Sequence, residues 1–263
     1  MTAAVRHQRS EGSILLSMGP LGVRRMREAH SAKVRIPHGS REAILINTGG
    51  GLAGGDRFSF TVTAEENAKL TVTSQAAERV YRSLGPAADV EVTLAAHPGS
   101  SLFWLPQETI LFDGAALTRR IHADLAGDAR FLAVESVILG REAMGETVRH
   151  ARLHDRWRVR RNGRLIFADD LAFDGPPPGS KATLDEGRAF ATVVLAAPEA
   201  EDLLDRVRDA IGNRGDASAW TSNDSGKLVA RLLARDGFEL RKSLIPALTL
   251  LADGAALPKT WSF

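Results

Sequence analysis

The chain has 263 residues, 44% hydrophobic and 25% charged, with 34 Lys+Arg against 32 Asp+Glu and no cysteine. These are the proportions of a globular protein with room for a sizeable core, and they exclude collagen-like, low-complexity and wholly disordered chains. Without cysteine there is no disulfide framework, zinc knuckle, iron–sulfur cluster or thiol nucleophile, and the interleaved charges leave no basic block for nucleic acid or a membrane surface.

Residues 1–13 lack the apolar core of a secretory signal. The longest apolar runs, residues 131–140 and 189–198, fall short of the roughly 18 residues that cross a membrane. A cytoplasmic protein is expected. Strand signals follow in order. Residues 43–47 read as a strand. Phe58, Phe60 and Val62 alternate with Ser59, Thr61 and Thr63, and Leu70 and Val72 repeat the pattern. Val90, Val92 and Leu94 alternate with Glu91 and Thr93. Leu117, Ile121, Ala123 and Leu125 share one parity, and Thr118, Arg120, His122 and Asp124 the other. Period-two alternation means one buried and one wet face. Parallel α/β strands would instead be continuously apolar and separated by helices. Here the separators are short turns such as His97-Pro98-Gly99-Ser100. The fold class is therefore mainly β: a sandwich, barrel or solenoid. No fixed repeat supports a regular solenoid.

Past Gly175-Pro176-Pro177-Pro178-Gly179 the texture changes. Residues 189–197 still read as a strand. Residues 199–211 put Ala200, Leu203, Leu204, Val207 and Ile211 on one helical face. Leu228, Val229, Leu232 and Leu233 make a second helical stripe, with cap candidates Ser222, Asn223 and Asp224 and a stop at Gly237. Leu240, Leu244, Leu248 and Leu251 suggest a third helix, interrupted by Pro246. The expected organisation is one continuous body over residues 1–263: a β body over about 10–197 and a small helical C-terminal part over about 198–252. The leucine stripes either pack onto the β body or dock a partner.

The segment Gly49-Gly50-Gly51-Leu52-Ala53-Gly54 matches G-x-G-x-x-G, but a dinucleotide site needs a helix directly after it, and a strand pattern follows. A sharp glycine-permitted connection is the reading. Glu135 shares the parity of Phe131, Ala133, Val137 and Leu139, so an acid lies on an apolar face and has to be paired, neutral or metal-bound. Arg141 is the nearby cation expected to pair with it. Glu142 and Glu146 share a face only if residues 140–146 turn helical, and Gly140 and Gly145 favour a loop. Glu108 and Asp113 are the acids of a possible hydrolase pair, with a packing corner as the plainer reading. His150 and His154 have metal-grip spacing for a helix, but flanking arginines make them surface residues. No serine sits in a G-x-S-x-G elbow.

Four ordered motifs resemble those of the urease accessory protein family UreD, also called UreH. They are Asn47-Thr48-Gly49-Gly50-Gly51-Leu52-Ala53-Gly54-Gly55-Asp56, then Thr73-Ser74-Gln75-Ala76-Ala77-Glu78-Arg79-Val80-Tyr81-Arg82, then Trp104-Leu105-Pro106-Gln107-Glu108-Thr109-Ile110-Leu111-Phe112-Asp113, then Glu135 with Leu139-Gly140-Arg141 and Gly145-Glu146. Ser74 stands where Thr is usual, and Pro258-Lys259-Thr260-Trp261 is a weaker echo with Lys259 where Arg is common. The resemblance implies an irregular, β-helix-like stack of strands with a few helices. It also implies a non-enzymatic chaperone that binds UreF, works with the GTPase UreG and docks on apo-urease, supporting nickel delivery. No tightly bound cofactor is implied, only transient Ni²⁺. On that footing Asp56, Glu135 and Glu146 are expected to face an internal polar passage, because sparse carboxylates release an ion that a tight cage would hold. The alternatives are a β-solenoid carbohydrate-active enzyme using acids such as Glu108 and Asp113, and a nucleotide-binding oxidoreductase with a helix beginning near Gly54.

Overall fold

The alternating segments become strands that wind between two sheets, in a computed structural model that describes residues 9–141, 144–180, 183–222 and 225–262. Glu142 and the cap candidates Asn223 and Asp224 lie outside the described residues. The chain opens with the antiparallel pair β1 (Glu11–Gly19) and β2 (Gly22–His30), then β3 (Ala32–Arg35) against β4 (Glu42–Asn47). From there it shuttles. The strands β5 (Arg57–Ala64), β8 (Ala88–Ala96), β11 (Ala116–Leu125) and β13 (Ala151–Arg161) lie parallel in the first sheet. Between them β4, β6 (Lys69–Ser74), β9 (Ser101–Leu105) and β12 (Arg130–Leu139) lie parallel in the second. Parallel neighbours normally need a helical crossover. Here the opposite sheet is the crossover, so a β-solenoid-like stack forms without helices.

Each coil buries its alternate residues between the sheets. Phe58, Val62, Val90, Val92, Leu94, Leu117 and Ile121 face this interior from the first sheet, and Leu70, Val72, Leu102, Trp104, Phe131 and Ala133 from the second. The coils differ in length: Arg57 lies beside Asp89, Asp89 beside Thr118, and Thr118 beside His154. These unequal steps explain why no fixed repeat is visible in the sequence. At one corner the short strands β7 (Glu78–Val80) and β10 (Thr109–Leu111) run parallel to each other and to the end of β12. That corner aligns Leu52, Val80, Leu111 and Leu139 as a buried column.

β14 (Arg164–Gly175) folds back on β13, and β15 (Ala189–Ala196) returns antiparallel to β12. The C-terminal part corrects the expectation of three helices. A 3₁₀ turn (Glu201–Leu203) and α1 (Leu204–Ile211) bear out the first, and α2 (Gly237–Leu251) the third. The second stripe is a strand. β16 (Gly215–Ser222) and β17 (Ser225–Ala234) form an antiparallel hairpin that extends the second sheet beyond β15. Gly226, Leu228, Ala230, Leu232 and Ala234 are the residues β17 buries, a period of two. Pro246 sits inside α2 instead of interrupting it. The helices cover the outer face of the second sheet, where Leu132, Val134, Val193 and Leu195 meet Leu240, Leu244, Leu248 and Leu251 in a second core.

Candidate functional site

The interior of the stack is not filled throughout. A cavity of about 350 Å³ lies between the sheets, walled by Phe58, Phe60, Val90, Val92, Leu117 and Trp104. Its polar groups sit at two places, a buried floor and a mouth formed by the first two motif segments.

The floor is built by Arg119 and Glu135, with Asp155 paired to Arg119 outside the lining; the three are 4%, 5% and 8% exposed. Arg119 shares the inward parity of Leu117 and Ile121 on β11, so its guanidinium enters the stack and meets Glu135 of the opposite sheet. It donates from Nη1 to Glu135 Oε2 and to Thr109 Oγ1 (3.1 Å), and grips Asp155 with Nε (3.1 Å) and Nη2 (2.6 Å). The other Glu135 oxygen accepts from Trp104 Nε1 at 2.8 Å. Burial works against the Arg119 charge, but Asp155 and Glu135 outweigh it and raise its pKa. One cation cannot balance two buried carboxylates. Burial pushes Glu135 up to about 7 despite the opposing pull of Arg119, so this floor holds a proton readily near neutrality.

At the mouth Asn47 Nδ2 donates to the Glu78 carboxylate at 3.2 Å and to the Gly51 carbonyl at 3.1 Å. Burial pushes Glu78 up to about 7 as well, with the Asn47 bond opposing it. Gln75 and Gln107 complete this rim. Gln107 is anchored from the far end of the chain: Arg241 of α2 donates to its Oε1 and grips Glu108 at 2.5 and 3.0 Å. Gln107 Nε2 also reaches Thr260 Oγ1, and Trp261 Nε1 donates to the Leu105 carbonyl at 3.0 Å. The Glu108 carbonyl in turn accepts from Glu78 N at 2.8 Å, so the C-terminal segment is tied to the mouth.

The expected site residues are thereby sorted. Glu135 borders the cavity, but its partner is Arg119 across the stack and not Arg141. Asp56 is outside the cavity lining; its two oxygens accept from Ser10 N and Ala53 N, both at 2.7 Å, closing the glycine turn. Glu146 lies on the corner surface, bound to Arg141 and to Asp113 N. Glu108 and Asp113 are not assembled as a pair: Arg241 takes the first, and Arg82 with two backbone N–H groups takes the second. The glycine segment runs directly into β5 with no helix near Gly54, so a dinucleotide turn is not formed. Gly54 packs where a Cβ would strike Ser83 and approach the Pro86 carbonyl to 2.7 Å, a demand of coil stacking. His150 and His154 lie before and on β13, each beside its own aspartate, Asp174 and Asp170. Among the described residues no three His, Asp or Glu side chains converge as a metal cage, and no helix is long and apolar enough to cross a membrane.

Arg119, Asp155 and Glu78 were not singled out by the sequence. The signal for Arg119 was present, since a cation on the parity of Leu117 and Ile121 is as telling as an acid on that of Phe131.

The family described as UreD urease accessory protein matches residues 3–262. Curated relatives named urease accessory protein UreD are similar over most of their length. The Rhizobium etli protein is 46% identical over 100% of this chain and 98% of its own. The Agrobacterium fabrum protein is 44% identical over 98% and 93%, and that of Mesorhizobium japonicum 44% identical over 93% and 89%.

Proposed function

This chain belongs to the UreD urease accessory protein family, a premise from which we propose a non-catalytic scaffold of urease maturation acting in the cytoplasm. It joins UreF and the GTPase UreG, docks on apo-urease, and supports GTP-dependent delivery of nickel to the urease active site.

The observation that supports a part in delivery is the cavity, with a carboxyl at the mouth (Glu78) and another at the floor (Glu135). Nickel is cargo here, so the chain has to bind it weakly and let it go. Two separated carboxyls do that where a multi-His cage would not. Each is pushed up to about 7, so each holds a proton readily near neutrality and an entering dication competes with that proton. Proton competition lowers affinity and helps release. Of the expected passage residues Asp56, Glu135 and Glu146, only Glu135 borders the cavity; the passage proposed here pairs it with Glu78, which was not expected, and Arg119 holds the floor carboxyl in place.

The test is co-expression of urease subunits with UreF and UreG, with and without this chain, followed by metal analysis of the purified urease. Omission is expected to abolish most nickel loading. Glu135→Gln, which keeps side-chain volume, is expected to leave the accessory complex assembled while lowering nickel per active site several-fold. Urease that loads fully without the chain defeats the scaffold reading. Full loading with E135Q defeats only the passage.

A further inference from the structure

Three successive corners of the stack lay Tyr81, Phe112 and Arg141 over one another. The Tyr81 and Phe112 rings meet edge to face with centroids 5.2 Å apart, and the Arg141 guanidinium lies 4.3 Å over the Phe112 ring. A polar ladder runs beside them. Asp113 accepts from Arg82 Nη2 (2.7 Å) on one oxygen, and from Arg149 N (2.8 Å) and His150 N (3.2 Å) on the other. Glu146 accepts from Arg141 N (3.0 Å) and Nε (2.9 Å) on one oxygen, and from Arg141 Nη2 and Asp113 N, both at 3.3 Å, on the other. An open groove of about 670 Å³ lies along the ladder.

The balance of donors and acceptors is one-sided. Each carboxylate oxygen in the ladder is already bonded, so the acids offer little to an incoming group. The arginines offer much. A guanidinium has five N–H donors; Arg82 and Arg141 spend only some of theirs, and among the described residues the Arg149 guanidinium has no partner. The acids serve to hold two of the arginines in place. At the edges stand two uncovered apolar side chains. Met144 is 73% exposed and precedes Gly145 of the groove wall, and Leu84 is 97% exposed beside an adjoining depression that shares Arg82 and Asp113.

We propose that this groove docks a partner protein through an Asp or Glu side chain seated among Arg82, Arg141 and Arg149, with aliphatic neighbours covering Leu84 and Met144. A free phosphate would use the arginines but has no use for the two apolar flanks, which is why a protein segment fits better. The groove also adjoins the cavity mouth, because Tyr81 Oη donates to the carbonyl of Gly50, a mouth residue, at 2.9 Å. A partner docked here stands beside the opening through which an ion would pass. The identity of the partner rests on the functional reading above; the groove chemistry does not.

Arg149→Glu and Leu84→Asp test it, because among the described residues neither side chain holds another part of the fold. Binding of each purified full-length variant to apo-urease, to UreF and to UreG is measured separately, at about 50 and 300 mM salt, with circular dichroism to verify folding. For one of the three partners both variants are expected to weaken binding about tenfold or more, and wild-type affinity for that partner is expected to fall with salt. Binding within about twofold of wild type for both variants and all partners overturns the docking site while leaving the scaffold reading intact. Weakening by R149E alone, with competition by inorganic phosphate, makes the groove an anion site and also overturns it. A wild-type chain that binds none of the three defeats both readings together.

Discussion

Arg119 is a single cation between two buried carboxylates, and that stoichiometry sets a pH response. Glu135 and Glu78 both protonate more readily in the folded chain than at the ordinary 4.5, chiefly because burial disfavours their charge. The stability each contributes is therefore complete below about 4.5 and is lost as pH rises through about 7. Asp113 and Glu146 act in the opposite sense. Backbone N–H groups of Arg149 and His150 hold Asp113 below its ordinary value, and the Arg141 side chain does so for Glu146, so their contribution is lost as pH falls. The response of one group is isolated by an uncharged replacement. The Tm of wild type relative to that of E135Q is expected to fall between about pH 5 and 8, as ionisation of Glu135 destabilises only the wild type. A difference that stays flat across that range means the floor carboxyl is not the titrating group. Glu135 was legible as an inward acid because parity along a strand is local information. Its partner was not, because an inward group in a solenoid meets the opposite sheet. Sequence proximity favoured Arg141, whereas the fold supplied Arg119, reached by a change of sheet.

At the scale of elements, local period decides what can be read. β5, β6, β8 and β11 were visible because their apolar residues recur with a period of two over five or more residues, interrupted on β11 by Arg119. β17 was misread because Leu228, Val229, Leu232 and Leu233 satisfy a helical spacing over so short a run. The small alternate residues Ala230 and Ala234, which complete its buried face, carry little hydrophobic signal. α2 was visible over four turns, and its start is fixed by Asp236, whose side chain accepts from Glu239 N at 2.7 Å. The terminal segment left only a weak motif in the sequence, yet it is a built strap. Trp261 is 1% exposed within the second core, its Nε1 bonded to the Leu105 carbonyl and the Arg241 guanidinium 5.4 Å from its ring centre. Emptying that site removes a large buried ring and a hydrogen bond together. Trp261→Ala is expected to cost about 3–5 kcal/mol, a fall in Tm on the order of 10 °C, measured by calorimetry. Because the strap also holds Gln107, the same variant is expected to loosen the cavity mouth. Hydrogen exchange at the amides of Leu105, Gln107, Glu108 and Glu78 reports it, and a change limited to residues 259–262 would mean the strap packs without governing the mouth.

The whole molecule carries two cores on either side of one sheet. The inner core lies between the sheets of the stack; the outer one lies between the second sheet and the helices. Because both cores use that sheet, we expect the change of texture near residue 198 to mark no separable unit. Removing everything after residue 197 would bare Leu132, Val134, Val193 and Leu195, each at most 1% exposed. Exposing one such side chain costs about 1.5–3 kcal/mol. A handful of them matches the roughly 5–15 kcal/mol by which a whole domain is stable. The cut would also remove Arg241 from Gln107 and Glu108 and Trp261 from Leu105, and leave Arg130 without Glu199 and the Leu251 carbonyl. A fragment ending at residue 197 is accordingly expected to be insoluble or molten, and the full chain to unfold in a single calorimetric transition. The paired outcome separates the alternatives. A fragment with native-like near-ultraviolet dichroism and its own sharp transition would show that the β stack folds alone. The helical layer would then be free to serve as a docking element instead of a cover. With the fragment unfolded, the leucine stripes of α1 and α2 are spent on the second sheet, and partners have to be met by the corners, the edges or the outer face of the first sheet.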